Sequence, residues 1–233
     1  MHLRKMMGVA GLLAGLSAQG AVYTYQFNSG FANSGNIPDG NLSGWSDSRT
    51  VGGMLDQISD ISVKLNIAGG FNGDLYAYLT YNNVLVPLVN RVGVGTGNAF
   101  GYGDSGLNIT LTDSGANNIH FYQNVVGYAT SIANGSNWRP DGRAISPLSS
   151  PSAFDAAGTM SFADYVNMNP NGTWTLFIAD VSGGGGTPQL TSWELDITAV
   201  PEPVNVALGV FTVLLVLGGW IRKAHPTWLS LRR

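Results

Sequence analysis

One histidine, His120, is placed to act as an acid–base group in the central part of the chain, because the other two lie near the chain ends. A serine hydrolase needs such a histidine beside a serine nucleophile and an orienting acid. Three segments resemble pieces of that arrangement: Asp-Ser-Gly at 104–106 and 113–115, and Gly-Thr-Met-Ser at 158–161. Asp-Ser-Gly is also an ordinary turn sequence, and no partner motif surrounds His120. We therefore predict no catalytic residues.

Aspartates beside asparagine and glycine indicate a second chemistry, cation binding. Ca²⁺ takes six to eight oxygen ligands from Asp, Asn and backbone carbonyls in flexible loops. Asp74, Asp180 and Asp104 are the candidate ligands, and the first two lie at ends of predicted strands. No loop of the EF-hand type is present, and each Asp has the alternative role of capping a turn. The sequence predicts no required cofactor and leaves calcium open.

Aromatic side chains indicate a third chemistry, stacking against sugar rings. The candidates are Trp45, Tyr76, Tyr78, Tyr81 and Trp138. Tyr76 and Tyr78 lie on one face of a predicted strand, where aromatic rings also serve simply to cover a sheet. Carbohydrate binding therefore remains an alternative without a supporting motif.

Composition excludes several classes of protein. The chain has 233 residues, 32 glycines, no cysteine and 11% charged residues, against roughly 25% charged in ordinary soluble domains. The absence of thiols excludes a disulfide-stapled miniprotein and a cysteine-ligated zinc or iron–sulfur site. An apolar fraction of 44% excludes disorder driven by charge. A net charge of −3 without a basic stripe argues against nucleic-acid binding.

The charges are unevenly distributed along the chain. Six of the 11 basic residues lie at the two ends, whereas residues 21–199 carry five basic and 13 acidic side chains, a formal charge of −8. Twelve of those 13 acids are aspartate, which favours turns, whereas glutamate favours helices. The central part is therefore an acidic domain of strands and turns. Its charge makes cations and surface polymers the partners to consider.

The N-terminus has the three regions of a secretory signal peptide. Arg4 and Lys5 form its basic start, and residues 6–16 form a short apolar stretch. Small residues follow, which predicts cleavage between Gly20 and Ala21. The alternative is a short buried helix. The signal predicts that a secretion translocon exports the chain.

A second apolar segment lies near the C-terminus. Residues 204–221 carry no charge and would reach about 27 Å as a helix, the thickness of a bilayer core. Arg222 and Lys223 follow at once, so the positive-inside rule places the tail in the cytoplasm and the domain outside. We predict a single transmembrane helix at 204–221, with a buried core helix as the alternative.

The segment 200–233 resembles the PEP-CTERM sorting signal of exported Gram-negative proteins. It contains Pro201, Glu202 and Pro203 before the apolar helix, and the basic anchor consists of Arg222, Lys223, Arg232 and Arg233. The resemblance implies recognition by an exosortase, a membrane protease that removes the tail. The expected location is outside the inner membrane of a Gram-negative-type bacterium. There the chain is first a membrane-anchored precursor, and after processing it belongs to the cell envelope or the extracellular space.

Residues 21–199 alternate apolar and polar positions with a period of two, as strands with one buried face do. The clearest runs are 61–67, 75–79, 107–111, 174–178 and 193–197. Glycine- and asparagine-rich turns connect them, and residues 123–163 are predicted to form long loops. The expected fold is an all-β, antiparallel, jelly-roll-like sandwich in one domain.

The segment of about 60–197 also resembles the P/Homo B domain of subtilisin-like proprotein convertases. The matching motifs, in family order, are Gly-Asp-Leu at 73–75, Asn-Gly-Thr-Trp-Thr-Leu at 171–176 and Ser-Trp-Glu-Leu at 192–195. The histidine often found before Gly-Asp-Leu is absent, and Ala-Gly-Gly stands at 68–70 instead. The resemblance implies a β-sandwich that accompanies a protease, and some relatives hold calcium.

The sequence thus predicts an exported, non-catalytic surface or matrix module that an exosortase-type system sorts. Its expected partners are the translocon, the exosortase, the membrane before processing, and a polysaccharide or surface protein. Two alternatives remain open. One is a domain associated with a serine endopeptidase, and the other is a calcium- or carbohydrate-binding surface module.

Overall fold

Alternating apolar residues form the strands of this protein. The connections range from a two-residue turn at Asn82 and Asn83 to long segments such as 140–171. The computed structural model describes residues 20–54, 57–128, 132 and 137–224. Its strands are β1 (Ala21–Phe27), β2 (Trp45–Val51), β3 (Gln57–Ala68), β4 (Leu75–Tyr81), β5 (Val84–Asn90), β6 (Leu107–Thr112), β7 (Asn117–Asn118), β8 (Asn137–Arg139), β9 (Gly172–Asp180) and β10 (Gln189–Val200). Its α-helices are α1 (Gln123–Val126) and α2 (Pro203–Ala224).

The strands form two sheets. One has six strands in the order β1-β10-β3-β6-β8-β7, and the other has four in the order β2-β9-β4-β5. This arrangement confirms the all-β prediction. The predicted antiparallel pairing holds throughout the four-stranded sheet, whereas the six-stranded sheet is mixed at one edge, because β8 pairs in parallel with both β6 and β7. A parallel neighbour requires a long crossover, and the segment between β7 and β8 supplies it.

The inner faces of the two sheets share one apolar core. The alternating positions that the sequence indicated are buried, among them Ile61 and Leu65 on β3, Leu79 on β4 and Trp174 on β9, all at most 1% exposed. Because successive side chains of a strand point to opposite faces, most polar strand residues lie outside, with buried exceptions such as Asp47 on β2 and Asp180 on β9. The packed core holds the turns at the sheet ends, where the candidate site residues lie.

The segment 123–163 contains more regular structure than the predicted long loops. It holds α1, β8 and a short 3-10 helix at Pro151–Asp155. Strand β8 joins the six-stranded sheet and places Trp138 in the core, 2% exposed. A three-residue strand with one apolar side chain has no period that a sequence pattern can reveal.

The C-terminal segment leaves the sandwich as a helix. Pro201 follows the last strand, and α2 begins at Pro203, where a proline is well tolerated because that amide has no helical partner. Glu202 lies next to the helix N-terminus, where a negative charge is favourable. In the part of the chain that the structure describes, no helix is both long enough and apolar enough to cross a membrane. The predicted transmembrane character of 204–221 is therefore not supported.

Only some of the residues predicted to direct export and sorting lie in the part of the chain that the structure describes. Residues 1–19 of the predicted signal peptide, as well as Arg232 and Arg233, lie outside the described residues. Gly20 precedes β1, which begins at Ala21 and pairs Ala21 with Ala199 on β10. The cleavage predicted between Gly20 and Ala21 therefore falls at the first residue of a strand.

Candidate functional site

His120 lies inside the protein, in a one-turn 3-10 helix at Ile119–Phe121. Its side chain is 0% exposed. Ring Nε2 donates a hydrogen bond of 2.9 Å to the carbonyl oxygen of Val94, and Nδ1 lies 2.7 Å from Asp141 Oδ2. Both ring nitrogens therefore have protein partners, and neither faces a substrate.

Asp141 ties this histidine to a buried arginine. Arg143 Nη1 donates to Asp141 Oδ1 at 3.0 Å, and Arg143 Nε donates to the carbonyl oxygen of Phe154 at 2.9 Å. Asp141 is 0% exposed and Arg143 is 4% exposed. Buried charges of this kind are tolerated when they are paired and hydrogen-bonded. The group is thus arranged as a structural cross-link among the loops around β5 and β8.

Two of the three segments that resembled parts of a serine hydrolase, 113–115 and 158–161, contribute caps to a 3-10 helix. Ser161 Oγ accepts a hydrogen bond from the Ala163 amide, and the Asp164 side chain accepts one from the Ser161 amide, which together form a capping box. Asp113 accepts hydrogen bonds from the amides of Phe162 and Ala163 at 3.1 and 2.8 Å. These side chains satisfy the free amides of the 3-10 helix Phe162–Tyr165.

Two of the three candidate calcium ligands lie together at one end of the four-stranded sheet. Asp180 ends β9 opposite Leu75, the first residue of β4, and Asp74 directly precedes Leu75. Asp180 is 0% exposed, and its Oδ2 accepts no hydrogen bond from the described residues, whereas Oδ1 accepts one from the Ser182 amide at 3.2 Å. Arg91 Nη2 lies 3.9 Å from Asp74 Oδ1.

Burial and like charge act on these two carboxyls. Burial, with a further contribution from the negative charges of Asp74 and Asp39, raises the pKa of Asp180 to about 6. Burial also raises the pKa of Asp74, against the opposing effect of Arg91. A raised carboxyl pKa means that the environment disfavours the ionised form. The pair is therefore a place where either a proton or a cation relieves repulsion.

The third candidate, Asp104, belongs to a different cluster. Tyr122 donates its hydroxyl hydrogen to Asp104 Oδ2 at 2.8 Å, and Gln123 Nε2 donates to the same oxygen at 2.7 Å. Asn72 Nδ2 in turn donates to the Tyr122 hydroxyl at 3.1 Å and to the Gly106 carbonyl at 3.1 Å. Asn72, Asp104 and Tyr122 are each at most 1% exposed.

This cluster contains two buried oxygens without a donor. Asp104 Oδ1 and Asn72 Oδ1 are both inaccessible and accept no hydrogen bond from the described residues. Nearly all buried polar atoms in proteins have a partner. Among the described residues, no group of three or more His, Cys, Asp or Glu side chains is arranged to hold a metal ion. Any cation here would therefore depend on carbonyl and amide oxygens as well as on carboxylates.

The aromatic candidates for sugar stacking divide into two groups. Tyr81, Trp45 and Trp138 are core residues with at most 8% exposure, and Tyr81 is stacked on Trp174 at 4.0 Å. Only Tyr76 and Tyr78 remain half-buried on the outer face of the sheet. There Tyr78 is stacked on Phe177, with ring centroids 4.7 Å apart, so one face of its ring is already covered.

Sequence reasoning missed four residues of these clusters: Asp39, Asn72, Tyr122 and Asp141. Asn72 begins the turn that ends in Asp74, so its place beside a predicted site residue was a usable signal. Asp39, Tyr122 and Asp141 reach their partners through tertiary contacts between distant segments, and no local pattern marks them.

No family model matches this chain, and no curated protein matches it. Two solved structures of a serine protease from Aeromonas sobria are similar to it. One, a complex with a chaperone, has a TM-score of 0.44 and 13% identity over 78% of this chain. The other has a TM-score of 0.43 and 12% identity over 77% of this chain. The chain spans 27% of the length of those proteases.

Proposed function

We propose that this protein is an exported, non-catalytic β-sandwich module of the cell surface or extracellular matrix, addressed by its C-terminal segment. The observation that carries the proposal is the helix that leaves the sandwich with its large apolar side chains exposed. Leu208, Phe211, Val213, Leu214, Leu215, Val216, Leu217 and Trp220 are between 53% and 77% exposed. An apolar surface of this extent needs an apolar partner.

The partner that we propose for α2 is the membrane, before an exosortase processes the chain. Helix α2 has 22 residues, and in a bilayer its exposed apolar side chains would contact lipid instead of water. Support also comes from the Pro-Glu-Pro motif between β10 and α2 and from the basic residues Arg222 and Lys223 that follow the apolar run. Export through a translocon would place the acidic domain outside the cytoplasm, with a polysaccharide or surface protein as its partner.

The non-catalytic part of the proposal is supported by the environment of His120. A general base must reach the proton that it abstracts, whereas both nitrogens of this buried ring already contact Val94 and Asp141. The resemblance to the P/Homo B domain supports a module that accompanies other activities. Purified full-length protein should therefore not cleave peptides. Cleavage that disappears in His120→Ala would contradict this part of the proposal.

The sorting part is tested in a Gram-negative host with an exosortase and in the same host without it. We expect the wild-type chain to leave the inner-membrane fraction only when the exosortase is present. Glu202→Ala and deletion of 200–233 should each abolish that difference. Gly97→Ala is the matched control, since its added methyl group meets nothing within 4 Å. An identical distribution of the wild-type chain in both hosts would contradict exosortase sorting.

A further inference from the structure

A groove lies at the edge of the six-stranded sheet where β7 and β8 meet the segment 155–161. It consists of two adjoining hollows of about 460 and 290 Å³, which share Asn118, Arg139 and Gly158 in their walls. The larger hollow has a volume within the range of about 300–1,000 Å³ that is typical of ligand sites. Because Arg139 lines both hollows, it lies where they meet.

Buried hydrogen bonds hold the floor of this groove in place. Arg143 lines the larger hollow and Asp141 the smaller one, and the two side chains are bonded to each other at 3.0 Å. The Asn118 Nδ2 group donates to the carbonyl oxygens of Pro140 and Asp141 at 2.8 and 3.2 Å. Its Oδ1 accepts from the His120 amide at 2.9 Å. A site that is already ordered loses little conformational freedom when it binds a ligand.

Three other polar side chains of the groove have no such partners. Asn117, Asn124 and Arg139 line the larger hollow and are exposed. None of their side chains forms a hydrogen bond or an ion pair with another described residue. The other basic residues of the described sandwich each form an ion pair: Arg49, Lys64, Arg91 and Arg143. The Arg139 guanidinium is therefore available to a ligand.

Phe121 adds an aromatic ring to the same hollow. It lines the groove and is 43% exposed. The Arg143 guanidinium lies 5.1 Å from the centroid of this ring, and the His120 ring contacts it edge-to-face with centroids 4.9 Å apart. Val125, which also lines the groove, is 54% exposed. An aromatic side chain fixed in this way offers apolar area to a ligand at a low cost in conformational entropy.

The charges of the groove do not favour an anionic ligand. Asp155 lines the larger hollow together with Arg139, and hydrogen bonds from Thr96 lower the pKa of this carboxyl, so it is ionised at neutral pH. Asp113 lines the smaller hollow. The formal charge of −8 on residues 21–199 also repels a polyanion at long range. These charges indicate a ligand without net charge.

We propose that this groove binds a neutral polysaccharide. Phe121 packs against the apolar face of a sugar ring, and the three side chains without partners bind its hydroxyl groups. A hydroxyl group both donates and accepts, so it accepts from the Arg139 guanidinium and pairs in either sense with the amides of Asn117 and Asn124. None of the aromatic residues that the sequence indicated for stacking lines this groove.

A glycan fits the groove better than a peptide does. Peptides that extend a sheet bond to the backbone of a strand edge, and β7 offers an edge of only two residues, Asn117 and Asn118. Two hollows in a row match a chain of repeated sugar units. The inference rests on the proposed function only in placing the groove outside the cell, where such a polymer is met.

The test uses the purified full-length chain in a detergent without a sugar headgroup. Native electrophoresis is run through gels that contain dextran or galactomannan, which are neutral, or alginate, which is a polyanion. We expect at least one neutral polymer, but not alginate, to slow the wild type. Phe121→Ala and Arg139→Ala should each raise the Kd by at least about tenfold. Phe100→Ala is the matched control, because Phe100 is 83% exposed and does not line the groove.

Two further measurements make the test specific. Binding that neutralises no charge should change in Kd by less than about twofold between roughly 50 and 500 mM NaCl. Asn124→Ala guards against a variant that fails to fold, because this exposed side chain has no partner. It should weaken binding and leave Tm unchanged.

Three outcomes would overturn the proposal. One is that neither neutral polymer binds, which would leave a surface protein as the partner. Another is that alginate binds and Arg139→Ala abolishes this binding, which would make the groove an anion site. The third is that Phe121→Ala and Arg139→Ala bind a neutral polymer as tightly as the wild type does. The sorting experiment measures location and not binding, so each proposal can fail without the other.

Discussion

His120 and Asp141 are joined by a contact of 2.7 Å in which neither side chain has exposed surface. A histidine and an aspartate at this distance resemble two members of a hydrolase triad. Here the other ring nitrogen, Nε2, donates to the Val94 carbonyl instead of facing a nucleophile. Arg143 completes the group by donating to Asp141 at 3.0 Å. The His120–Asp141 contact therefore stabilises the fold, and substitution of His120 should lower the free energy of unfolding.

We predict that His120→Ala lowers the free energy of unfolding by about 3 kcal/mol, because it removes the buried ring with its contact to Asp141 and its hydrogen bond to the Val94 carbonyl, and leaves a cavity. Denaturation with guanidinium chloride measures the loss. Asn117→Ala, an exposed position on neighbouring β7, is the control and should change stability by no more than about 0.5 kcal/mol. Equal stabilities for wild type and His120→Ala would contradict the structural role.

The central strands were predictable because their information is local. Ile61 and Leu65 on β3 alternate with polar residues, and a period of two identifies a half-buried strand wherever it is long enough. Strand β8 was not predictable, because three residues around Trp138 carry no period. Its parallel pairing with β6 depends on a crossover that brings distant segments together, and no local pattern encodes that.

The candidate sites were predictable only as single residues. Asp74, Asp104 and Asp180 were recognisable as turn aspartates, and the register of β4 with β9 brings Asp74 close to Asp180. The separation of Asp104 from that pair depends on its hydrogen bond with Tyr122, a contact between residues 18 positions apart. Its second oxygen could be identified as unpaired only from tertiary packing, because hydrogen-bond satisfaction is a property of the folded chain.

Gly73 sits where two backbone segments meet, between Asn72 and Asp74. A methyl group there would lie 2.6 Å from the Phe100 carbonyl oxygen and 2.6 Å from the Tyr102 amide. We predict that Gly73→Ala destabilises the fold by about 2 kcal/mol, as overpacking does. Chemical denaturation measures the loss.

Gly103→Ala is the matched control for this prediction. It lies in the same loop, but its added methyl group would meet nothing within 4 Å. It should therefore leave the free energy of unfolding near the wild-type value. Equal losses of stability in the two variants would show that the close approach at Gly73 is not the cause of the destabilisation.

A hydrogen bond between the two sheets yields a third prediction. Trp193 on β10 donates its indole hydrogen to Asp47 Oδ2 on β2 at 2.8 Å, and Trp193 is 1% exposed. Trp193→Phe removes this donor and leaves a gap, so we expect a loss of about 2 kcal/mol in denaturant unfolding. Trp220→Phe is the control, because Trp220 is 77% exposed on α2. Similar unfolding midpoints for all three proteins would rule out the cross-sheet contribution.

Asp180 makes the stability of the fold dependent on pH. Its pKa is raised from 3.8 to about 6, first by burial and then by the charges of Asp74 and Asp39. The folded state therefore binds this proton more tightly than the unfolded state. The resulting stability is fully present below about pH 4 and is lost as the pH rises through about 6. In metal-free buffer we expect the free energy of unfolding to fall over this range, and Asp180→Asn should reduce that fall.

The control for the pH dependence is a carboxyl shifted in the opposite direction. Hydrogen bonds from the Thr96 hydroxyl and amide lower the pKa of Asp155, so its contribution is present above its ordinary value of 3.8 and is lost as the pH falls below that value through the lowered one. Asp155→Asn should therefore leave the decline between pH 4 and 6 intact. Chemical denaturation at closely spaced pH values distinguishes the two variants. A wild-type decline that persists unchanged in Asp180→Asn would assign it to other buried carboxyls, such as Asp74, whose pKa burial also raises.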